Sequence, residues 1–303
     1  MLIARQLGNG TAFQTEQTNT SFTVFDDRIL VDCGYNVFGK LKELGIADKI
    51  ELVCITHTHD DHIGSLGAFL YYREFVLKKP IVVIGNDVVN KYLTLVLQGR
   101  EKAKYPTGFK PLEYVRFQPS GYAFEYYNPM SEGYKLVIET KDLDSHSLNP
   151  DFPTTMYAFY IYKAQSKKLT EEERTLGDVL GYSFVKSVAF RPYVKVVVTG
   201  DTKANPDIEK FAFKAFKYEK GEHSARLLVF HDYSKFSSVL NPHANAKDFE
   251  EIYSSEFKQY VVKVHTGDES YKKEYRYEDL KTCVFKPEPQ TTYRAFGVNL
   301  NKI

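Results

Sequence analysis

The segment 56–62 is dense in side chains that can bind metal ions. It reads Thr-His-Thr-His-Asp-Asp-His, with histidines at 57, 59 and 62 and aspartates at 60 and 61. Imidazole nitrogens and carboxylate oxygens are good ligands for Zn²⁺ and similar divalent ions. We expect His57 and His59 to converge on one ion, and Asp61 and His62 to project towards a second. Two such ions activate water for hydrolysis, so neither a cysteine nucleophile nor an organic cofactor is required.

The elements around this segment alternate between strands and helices. The apolar run 50–56 precedes the histidines and is typical of a strand covered on both faces. The patterns also predict a hairpin over 21–33, helices over 36–44, 64–75 and 246–253, and apolar strands over 81–84, 156–162, 182–190, 195–199, 225–230 and 259–264. Asp201 closely follows one of these strands, so its carboxylate emerges at a strand end. Both halves contain strands followed by helices, which favours two packed sheets with helices outside.

Composition excludes several classes of protein. Forty basic and 39 acidic side chains give a net charge of +1, so the totals indicate no cationic surface built for nucleic acid. No stretch approaches the ~20 apolar residues of a membrane span. The three cysteines, Cys33, Cys54 and Cys283, form no CxxC pair, and we expect Cys33 and Cys54, which lie in apolar strand-like runs, to be buried free thiols. These features favour a cytoplasmic protein with no membrane contact.

The segment 57–62 resembles the HxHxDH signature of the metallo-β-lactamase fold hydrolases. The resemblance covers about residues 1 to 270. It implies an α/β protein with the αββα four-layer sandwich, in which two mixed β-sheets are flanked by helices. It also implies a single domain over residues 1–303, with 271–303 as a C-terminal lid or dimer arm.

By resemblance, two divalent ions, Zn²⁺ or alternatively Mn²⁺, share Asp201. The other ligands carried over from the family are His57, His59 and His146 for one ion and Asp61, His62 and His265 for the other. Asp61 would also position or deprotonate the attacking water. Asp32, at the end of an earlier strand, would orient a ligand histidine.

The second half resembles the ribonuclease Z branch of this family. His231-Asp232 follows a strand, and His243 comes some way on. In that branch the later histidine, supported by an acidic residue, donates a proton to the leaving oxygen, which assigns this role to His243 and Asp232. The acidic residue is Asp where the branch usually has Glu. His231 and His243 also compete with His265 as ligands, and His265 is preferred because it directly follows a strand. A homodimer is implied by the resemblance alone.

Two departures from this branch concern the substrate. The Pro-Lys-Arg-Asn stretch expected after the first turn is replaced by residues 15–21, and the basic arm that grips transfer RNA is replaced by residues 163–174, whose charges are nearly balanced. Because RNA affinity depends on phosphate contacts from Lys and Arg, RNA is the less favoured partner. The resemblance is closest to phage and bacterial cyclic nucleotide phosphodiesterases of the anti-Pycsar type.

This interpretation predicts hydrolysis of 3′,5′-cyclic mononucleotides, to counter antiphage defence from the host cytoplasm if the chain is phage-encoded. Aromatic side chains in the middle of the chain are candidates for stacking on the base: Tyr122, Phe124, Tyr126, Tyr127, Phe152 and Tyr157. One alternative is a transfer-RNA 3′-processing endonuclease. Another is a non-catalytic binder that holds a nucleotide at the metal site.

Overall fold

The structure is a computed structural model that describes residues 1–14, 16–104, 114–121, 123–126, 133–143, 153–166, 188–216, 223–234, 243–268, 270–285 and 295–298. Its strands are β1 (Leu2–Gly8), β2 (Ser21–Val24), β3 (Ile29–Val31), β4 (Leu52–Cys54), β5 (Ile81–Gly85), β6 (Val115–Pro119), β7 (Ala123–Tyr126), β8 (Tyr134–Leu143), β9 (Thr154–Ser166), β10 (Val188–Val198), β11 (His223–Asp232), β12 (Val261–Val264), β13 (Glu274–Arg276), β14 (Lys281–Phe285) and β15 (Ala295–Val298).

Short helices connect many of these strands. They are α1 (Val37–Glu43), α2 (Asp60–Ile63), α3 (Leu66–Tyr71), α4 (Asp87–Lys104), α5 (Pro206–Phe213), α6 (Ala246–Ile252) and α7 (Ser255–Lys258). A π-helical turn, Tyr72–Leu77, continues α3, and a 3₁₀ turn covers Tyr277–Asp279. In the part of the chain that is described, no helix is long and apolar enough to cross a membrane.

The first sheet has seven strands in the order β13-β1-β2-β3-β4-β5-β6. The predicted hairpin is confirmed as β2 and β3, with Phe22 opposite Val31. Strands β3, β4, β5 and β6 are parallel to one another. Parallel neighbours need crossover connections, and α1, α2 with α3, and α4 lie in these connections. The carboxyl ends of β3 and β4 therefore lie at the same edge of the sheet.

The second sheet has eight strands in the order β12-β11-β10-β9-β8-β7-β15, and β14 pairs with β11 beside this path. Strands β10, β11 and β12 are parallel, so their carboxyl ends also meet. Two separate strands were predicted over 182–190 and 195–199. Within the described residues this is wrong, because residues 188–198 form the one strand β10. The register of β10 shifts between Pro192 and Val194, where proline has no N–H for the ladder.

Alternating side chains of the central strands build the layers. In β11, Leu228 and Phe230 point into the core between the sheets, whereas Leu227 and Val229 point outwards onto α5, α6 and α7. In β4, Val53 faces outwards onto α1, α3 and α4. The order is helices, sheet, sheet, helices, which confirms the predicted αββα sandwich of two mixed sheets. All three cysteines are buried free thiols, which confirms the prediction made for Cys33 and Cys54.

Part of the C-terminal segment 271–303 lies within the two sheets. Strand β13 pairs with β1 at the edge of the first sheet, and β14 pairs with the first half of β11 in the second. Residues 286–294 and 299–303 lie outside the described residues. A lid or dimer arm therefore stays a prediction for this segment, as does the single domain.

Candidate metal centre

Five strand ends deliver polar side chains to one edge of the sandwich. Asp32 directly follows β3, and His57 lies three residues after β4. On the second sheet, Asp201 follows β10, Asp232 ends β11, and His265 follows β12. Since these strands are parallel within each sheet, their carboxyl ends gather the five residues. His57 and His265 are more than two thirds of the chain apart in sequence, and the strand order of the two sheets brings them to the same edge.

Asp32 orients the ligand candidates of the first sheet. Its carboxylate accepts hydrogen bonds from Thr56 N and Thr56 Oγ1, both at 2.8 Å. The same carboxylate lies 2.8 Å from Nδ1 of His62, which directs Nε2 of that ring into the site. Asp32 has a left-handed backbone with φ of 60°, strained for a residue other than glycine. The predicted orienting role thus has a structural counterpart, because the carboxylate holds a candidate ligand through its second ring nitrogen.

The first group of candidate ligands is fully buried. It contains Asp61, His62, Asp201 and His265, whose ligand atoms lie within 4.8 Å of one another. Nε2 of His265 is 3.0 Å from Oδ2 of Asp61, and Nε2 of His62 is 3.1 Å from Oδ1 of Asp201. These are the residues assigned by resemblance to the second ion and to the shared carboxylate.

A second group reaches towards the surface. His57, His59 and Asp201 also place ligand atoms within 4.8 Å of one another. His57 is buried, its Nε2 lies 3.8 Å from Oδ2 of Asp201, and His59 is exposed. Asp201 belongs to both groups. The further predicted ligand of this group, His146, lies outside the described residues.

Asn9 fixes the position of His265 from the other end of the chain. The backbone of His265 is left-handed, with φ of 62°, and its N–H donates to Oδ1 of Asn9 at 2.8 Å. Nδ2 of Asn9 donates to Oγ1 of Thr266 and to the carbonyl of Asp268. One amide side chain therefore holds the turn after β12 in the conformation that aims His265 into the site.

His243 and Asp232 form a pair beside the ligand groups. Nδ1 of His243 lies 2.8 Å from Oδ2 of Asp232, which also accepts a hydrogen bond from Thr202 N. His243 is part-exposed, whereas Asp232 is buried. His243 and Asp232 also form a third group of potential ligands with Asp201 and His265.

His231 does not reach the site. It lies on the opposite face of β11, where its Nε2 is 2.7 Å from the hydroxyl of Tyr253 and its ring packs edge-on against Phe249. Burial lowers the pKa of His231, so the ring is held neutral. The alternative that His231 replaces His265 as a ligand is therefore wrong.

The electrostatics of the site are dominated by buried carboxylates. Burial lowers the pKa of His265, but the carboxylates of Asp201, Asp232 and Asp61 outweigh it and raise that pKa to about 10. Burial also disfavours charged His62, yet Asp201, Asp32 and Asp61 hold its pKa well above the ordinary value. Burial disfavours the charged carboxylate of Asp201, but the histidines hold its pKa well below the usual range. The site thus attracts positive charge.

These residues fit divalent ions. The four carboxylates of Asp32, Asp61, Asp201 and Asp232 are each at most 3% exposed, and burying that much negative charge is costly without cations. Nε2 of His62 is buried, and its contact with Asp201 does not have hydrogen-bond geometry. Mixed imidazole and carboxylate donors suit divalent metal ions. Divalent metal binding is therefore the property that this set of residues supports.

A pocket opens beside the second group of ligands. Its volume is about 520 Å³, and it is lined by Ala12, Tyr35, Asn36, His59, Asp60 and Asp61. This volume lies within the range of small-molecule sites. The arrangement can hold a compact substrate with its reacting group at the ligands and its remainder in the pocket.

The predicted stacking residues lie elsewhere. Phe124 and Tyr157 are buried in the core between the sheets, so a stacking role for them is wrong. The hydroxyl of Tyr157 donates to the carbonyls of Ile55 and Ile84 and ties the two sheets together. The side chains of the other four candidates, at 122, 126, 127 and 152, lie outside the described residues.

Sequence reasoning missed Asn9 and Thr56. Asn9 was assigned no role, and Thr56 was placed only at the end of a predicted strand. Neither side chain is of a type that usually binds metal. Asn9 accepts a hydrogen bond from His265, and Thr56 donates one to Asp32, and both partners are distant along the sequence. The sequence offers no signal for such contacts.

The matches to known protein sequences cover only part of the chain. The family described as "Anti-Pycsar protein Apyc1" matches residues 3–115, which include Asp32 and 57–62 but not the site residues of the second sheet. The anti-Pycsar protein Apyc1 of Bacillus phage 010DV004 is 36% identical over 111 residues, which are 35% of this chain and 42% of that protein. The ribonuclease Z of Borrelia duttonii (strain Ly) is 29% identical over 124 residues, covering 32% and 39% of the two chains.

The chain thus aligns with about two fifths of the length of the curated relatives that it matches. Similarity of structure to solved proteins extends over more of the chain than similarity of sequence does. The metallo-β-lactamase fold protein YhfI of Bacillus subtilis superposes with a TM-score of 0.52 at 15% identity, over 87% of this chain and 85% of that one. The fold of this chain is therefore the metallo-β-lactamase fold, as the segment 57–62 led us to expect.

Proposed function

We propose that this chain is a metal-dependent phosphodiesterase that hydrolyses 3′,5′-cyclic mononucleotides to linear nucleoside monophosphates. One observation carries the proposal: two groups of candidate ligands share Asp201, and the pair His243–Asp232 stands directly beside them. Two adjoining ions and a neighbouring proton donor are the parts that phosphodiester hydrolysis requires. The likeness of residues 3–115 to anti-Pycsar proteins supports cyclic nucleotides as the substrate class.

The ligands in this proposal divide between two ions, Zn²⁺ or alternatively Mn²⁺. His57 and His59 would hold one, Asp61, His62 and His265 would hold the other, and Asp201 would be common to both. The bound ions would lower the pKa of water and neutralise charge on the phosphoryl oxygens. His146 completes the first set by resemblance alone. Asp32 holds the ring of His62 in the orientation that ligation requires.

The protein's own proton donor would be His243. Its Nδ1 is engaged by Asp232, which orients the ring and favours its protonated form. Burial lowers the pKa of His243, but Asp201 and Asp232 raise it above the ordinary value. A protonated imidazole at the rim can donate through Nε2 to the oxygen that leaves when the cyclic phosphodiester opens.

The charge of the pocket favours a substrate with a single phosphate. Its charged lining residues outside the histidine are Asp60 and Asp61, and no Lys or Arg is among the described residues that line it. A second phosphodiester placed there would be repelled by Asp60, whereas a neutral nucleoside would not. This favours a cyclic mononucleotide over a cyclic dinucleotide or RNA. A homodimer and a role against cyclic nucleotide-based antiphage defence belong to the same proposal.

Turnover of cyclic nucleotides tests the function. Protein loaded with Zn²⁺ or Mn²⁺ should convert purine or pyrimidine 3′,5′-cyclic mononucleotides to their linear monophosphates, measured by chromatography. Asp61→Asn should lose at least a hundredfold in kcat, because the site loses a ligand charge and a partner of His265. Asp48→Asn, which makes the same change on the exposed surface, should match the wild type.

Absence of turnover on every cyclic mononucleotide, with bound metal confirmed by elemental analysis, would exclude the proposal. The second candidate is a transfer-RNA 3′-processing endonuclease, which the match to a ribonuclease Z favours. Cleavage of a precursor transfer RNA, with a rate that falls steeply as salt rises, would identify it. Binding of cyclic nucleotides by both wild type and Asp61→Asn, without turnover, would instead identify a non-catalytic binder.

A further inference from the structure

Tyr35 presents an aromatic ring at the rim of the pocket beside the candidate metal ligands. Its side chain lines the pocket together with His59 and Asp61, and it is 37% exposed. Because this ring is exposed at the pocket, packing into the core does not explain its position. The core contacts that explain Phe124 and Tyr157 do not apply to this ring.

Two contacts of its side chain and one of its backbone position Tyr35. Its hydroxyl donates to Oδ2 of Asp60 at 3.0 Å. Its carbonyl accepts a hydrogen bond from Asn19 N at 3.2 Å. Its ring edge occupies the space in which a side chain at Gly64 would stand, because a Cβ there would lie 2.8 Å from Cε1 of Tyr35. The hydroxyl and one edge of the ring are therefore both in contact with the segment 60–64.

The neighbouring glycine ties this ring to the metal ligands. A Cβ on Gly34 would lie 1.8 Å from the carbonyl oxygen of Asp61, so the chain before Tyr35 touches the backbone of a candidate ligand. Cys33 N also donates to the carbonyl of His62 at 2.7 Å. The distance between the ring and the ligands is thus set by direct backbone contact across two elements.

We propose that Tyr35 is the base-stacking residue of this site, against which the nucleobase of a cyclic mononucleotide lies while its phosphate meets the metal ligands. The proposal rests on the function proposed above and names the residue that recognises the nucleoside part of the substrate. A rigid exposed ring offers a flat apolar face at low entropic cost, and base stacking on such rings stabilises nucleotide complexes. Every base has such a face, so Tyr35 gives affinity for a nucleoside without choosing one base.

Two substrates separate stacking from catalysis. The first is a 3′,5′-cyclic mononucleotide, and the second is its base-free analogue, methyl riboside 3′,5′-cyclic phosphate. The wild type should prefer the first through a lower KM. Tyr35→Ala should raise KM for the nucleotide by roughly tenfold and lower kcat/KM for the analogue far less, because the analogue has no base to stack. Tyr35→Phe keeps the ring and should stay close to the wild type on both substrates.

Phe75→Ala is the matched control, because Phe75 is an exposed ring on the π-helical turn, outside the pocket lining. This substitution should leave KM and kcat/KM unchanged for both substrates. Equal losses on both substrates in Tyr35→Ala, or no loss on either, would overturn the proposal. An unchanged thermal unfolding midpoint shows that the variants fold.

Equilibrium binding keeps this test independent of turnover. A phosphorothioate analogue of the cyclic nucleotide, titrated by calorimetry, should bind roughly tenfold more weakly to Tyr35→Ala than to the wild type. If the metal-loaded wild type hydrolyses neither substrate, the proposed function fails, and this titration alone then decides the role of Tyr35. Equal binding by both proteins would show that Tyr35 does not stack on the base.

Discussion

At the scale of single residues, His243 differs from the candidate ligands His62 and His265 in its partner and its exposure. It is part-exposed and bound to Asp232 through Nδ1, whereas His62 and His265 are buried among several carboxylates. A histidine at the rim can reach a leaving oxygen, whereas His62 and His265 lie within the buried group of candidate metal ligands. This difference leads to opposite expectations for substitution.

We expect His243→Gln to lose proton donation without losing metal. The kcat for a cyclic nucleotide, whose leaving oxygen is strongly basic, should fall roughly 10²- to 10⁴-fold. Hydrolysis of bis(4-nitrophenyl) phosphate, whose leaving group needs no proton, should fall much less. Steady-state kinetics on both substrates, with metal content measured by elemental analysis, decide the result.

His62→Gln provides the comparison, because it should lose metal and both activities together. If His243→Gln instead lost metal, or lost activity on both substrates to the same extent, His243 would be a metal ligand. The third group of potential ligands, which contains His243 and Asp232, would then be occupied.

At the scale of elements, the contact between the turn after β3 and helix α2 sets the site. Gly34 allows the two backbones to touch, because its missing Cβ would stand 1.8 Å from the carbonyl oxygen of Asp61. Gly39, in α1, has nothing within 4 Å of the same construction. The two glycines are only five residues apart, but there is space for a side chain at Gly39 and none at Gly34.

Gly34→Ala should destabilise the protein by about 3 kcal/mol, because it forces α2 and its ligand Asp61 away from β3. Gly39→Ala should instead stabilise it by up to about 1 kcal/mol, since alanine is the better helix former. Urea unfolding followed by circular dichroism measures both changes. Equal effects of the two substitutions would show that the Gly34 contact does not constrain α2.

The limits of prediction at this scale follow from periodicity. The strands that became β4, β5 and β11 were predicted because continuous apolar runs need cover on both faces. Strands β13 and β14 were not, because residues 274–285 are rich in charge and tyrosine and form short pairings on β1 and β11. Pairings of this kind depend on the partner strand rather than on the segment's own pattern.

At the scale of the whole molecule, the candidate site joins the two sheets. His57, Asp61 and His62 come from the first sheet and its connections, whereas Asp201 and His265 come from the second. Ions held between them would bind the folded state and not the unfolded chain. Metal binding should therefore stabilise the entire fold by mass action.

Chelation with EDTA should lower the thermal unfolding midpoint, and added Zn²⁺ or Mn²⁺ should restore it. Free metal at 100 times its dissociation constant corresponds to about 2.7 kcal/mol of added stability. Scanning calorimetry against free metal concentration measures the effect. Asp201→Asn should show a much smaller shift, because it removes the carboxylate common to both groups. A wild-type midpoint that does not respond to metal would contradict the joining of the sheets by ions.

The sequence alone determined which residues can bind metal and which fold they belong to. Three histidines and two aspartates crowd into 57–62 directly after an apolar strand, and further apolar runs mark the strands that carry Asp201 and His265. Ligand chemistry is a property of residue type and local spacing, so a sequence can display it. The absence of a basic arm and the net charge of +1 also indicated a small substrate over RNA.

Only the tertiary structure separated the histidines by their position relative to the candidate site. His231 and His243 stand twelve residues apart along the sequence and were both candidates, yet β11 turns His231 outwards onto Tyr253, while His243 returns to Asp232. The same holds for Asn9, which reaches His265 across the whole chain, and for Tyr35, whose ring is exposed while the predicted aromatics Phe124 and Tyr157 are buried. Burial, strand face and long-range contact arise from the packing of distant segments, and no local pattern contains them.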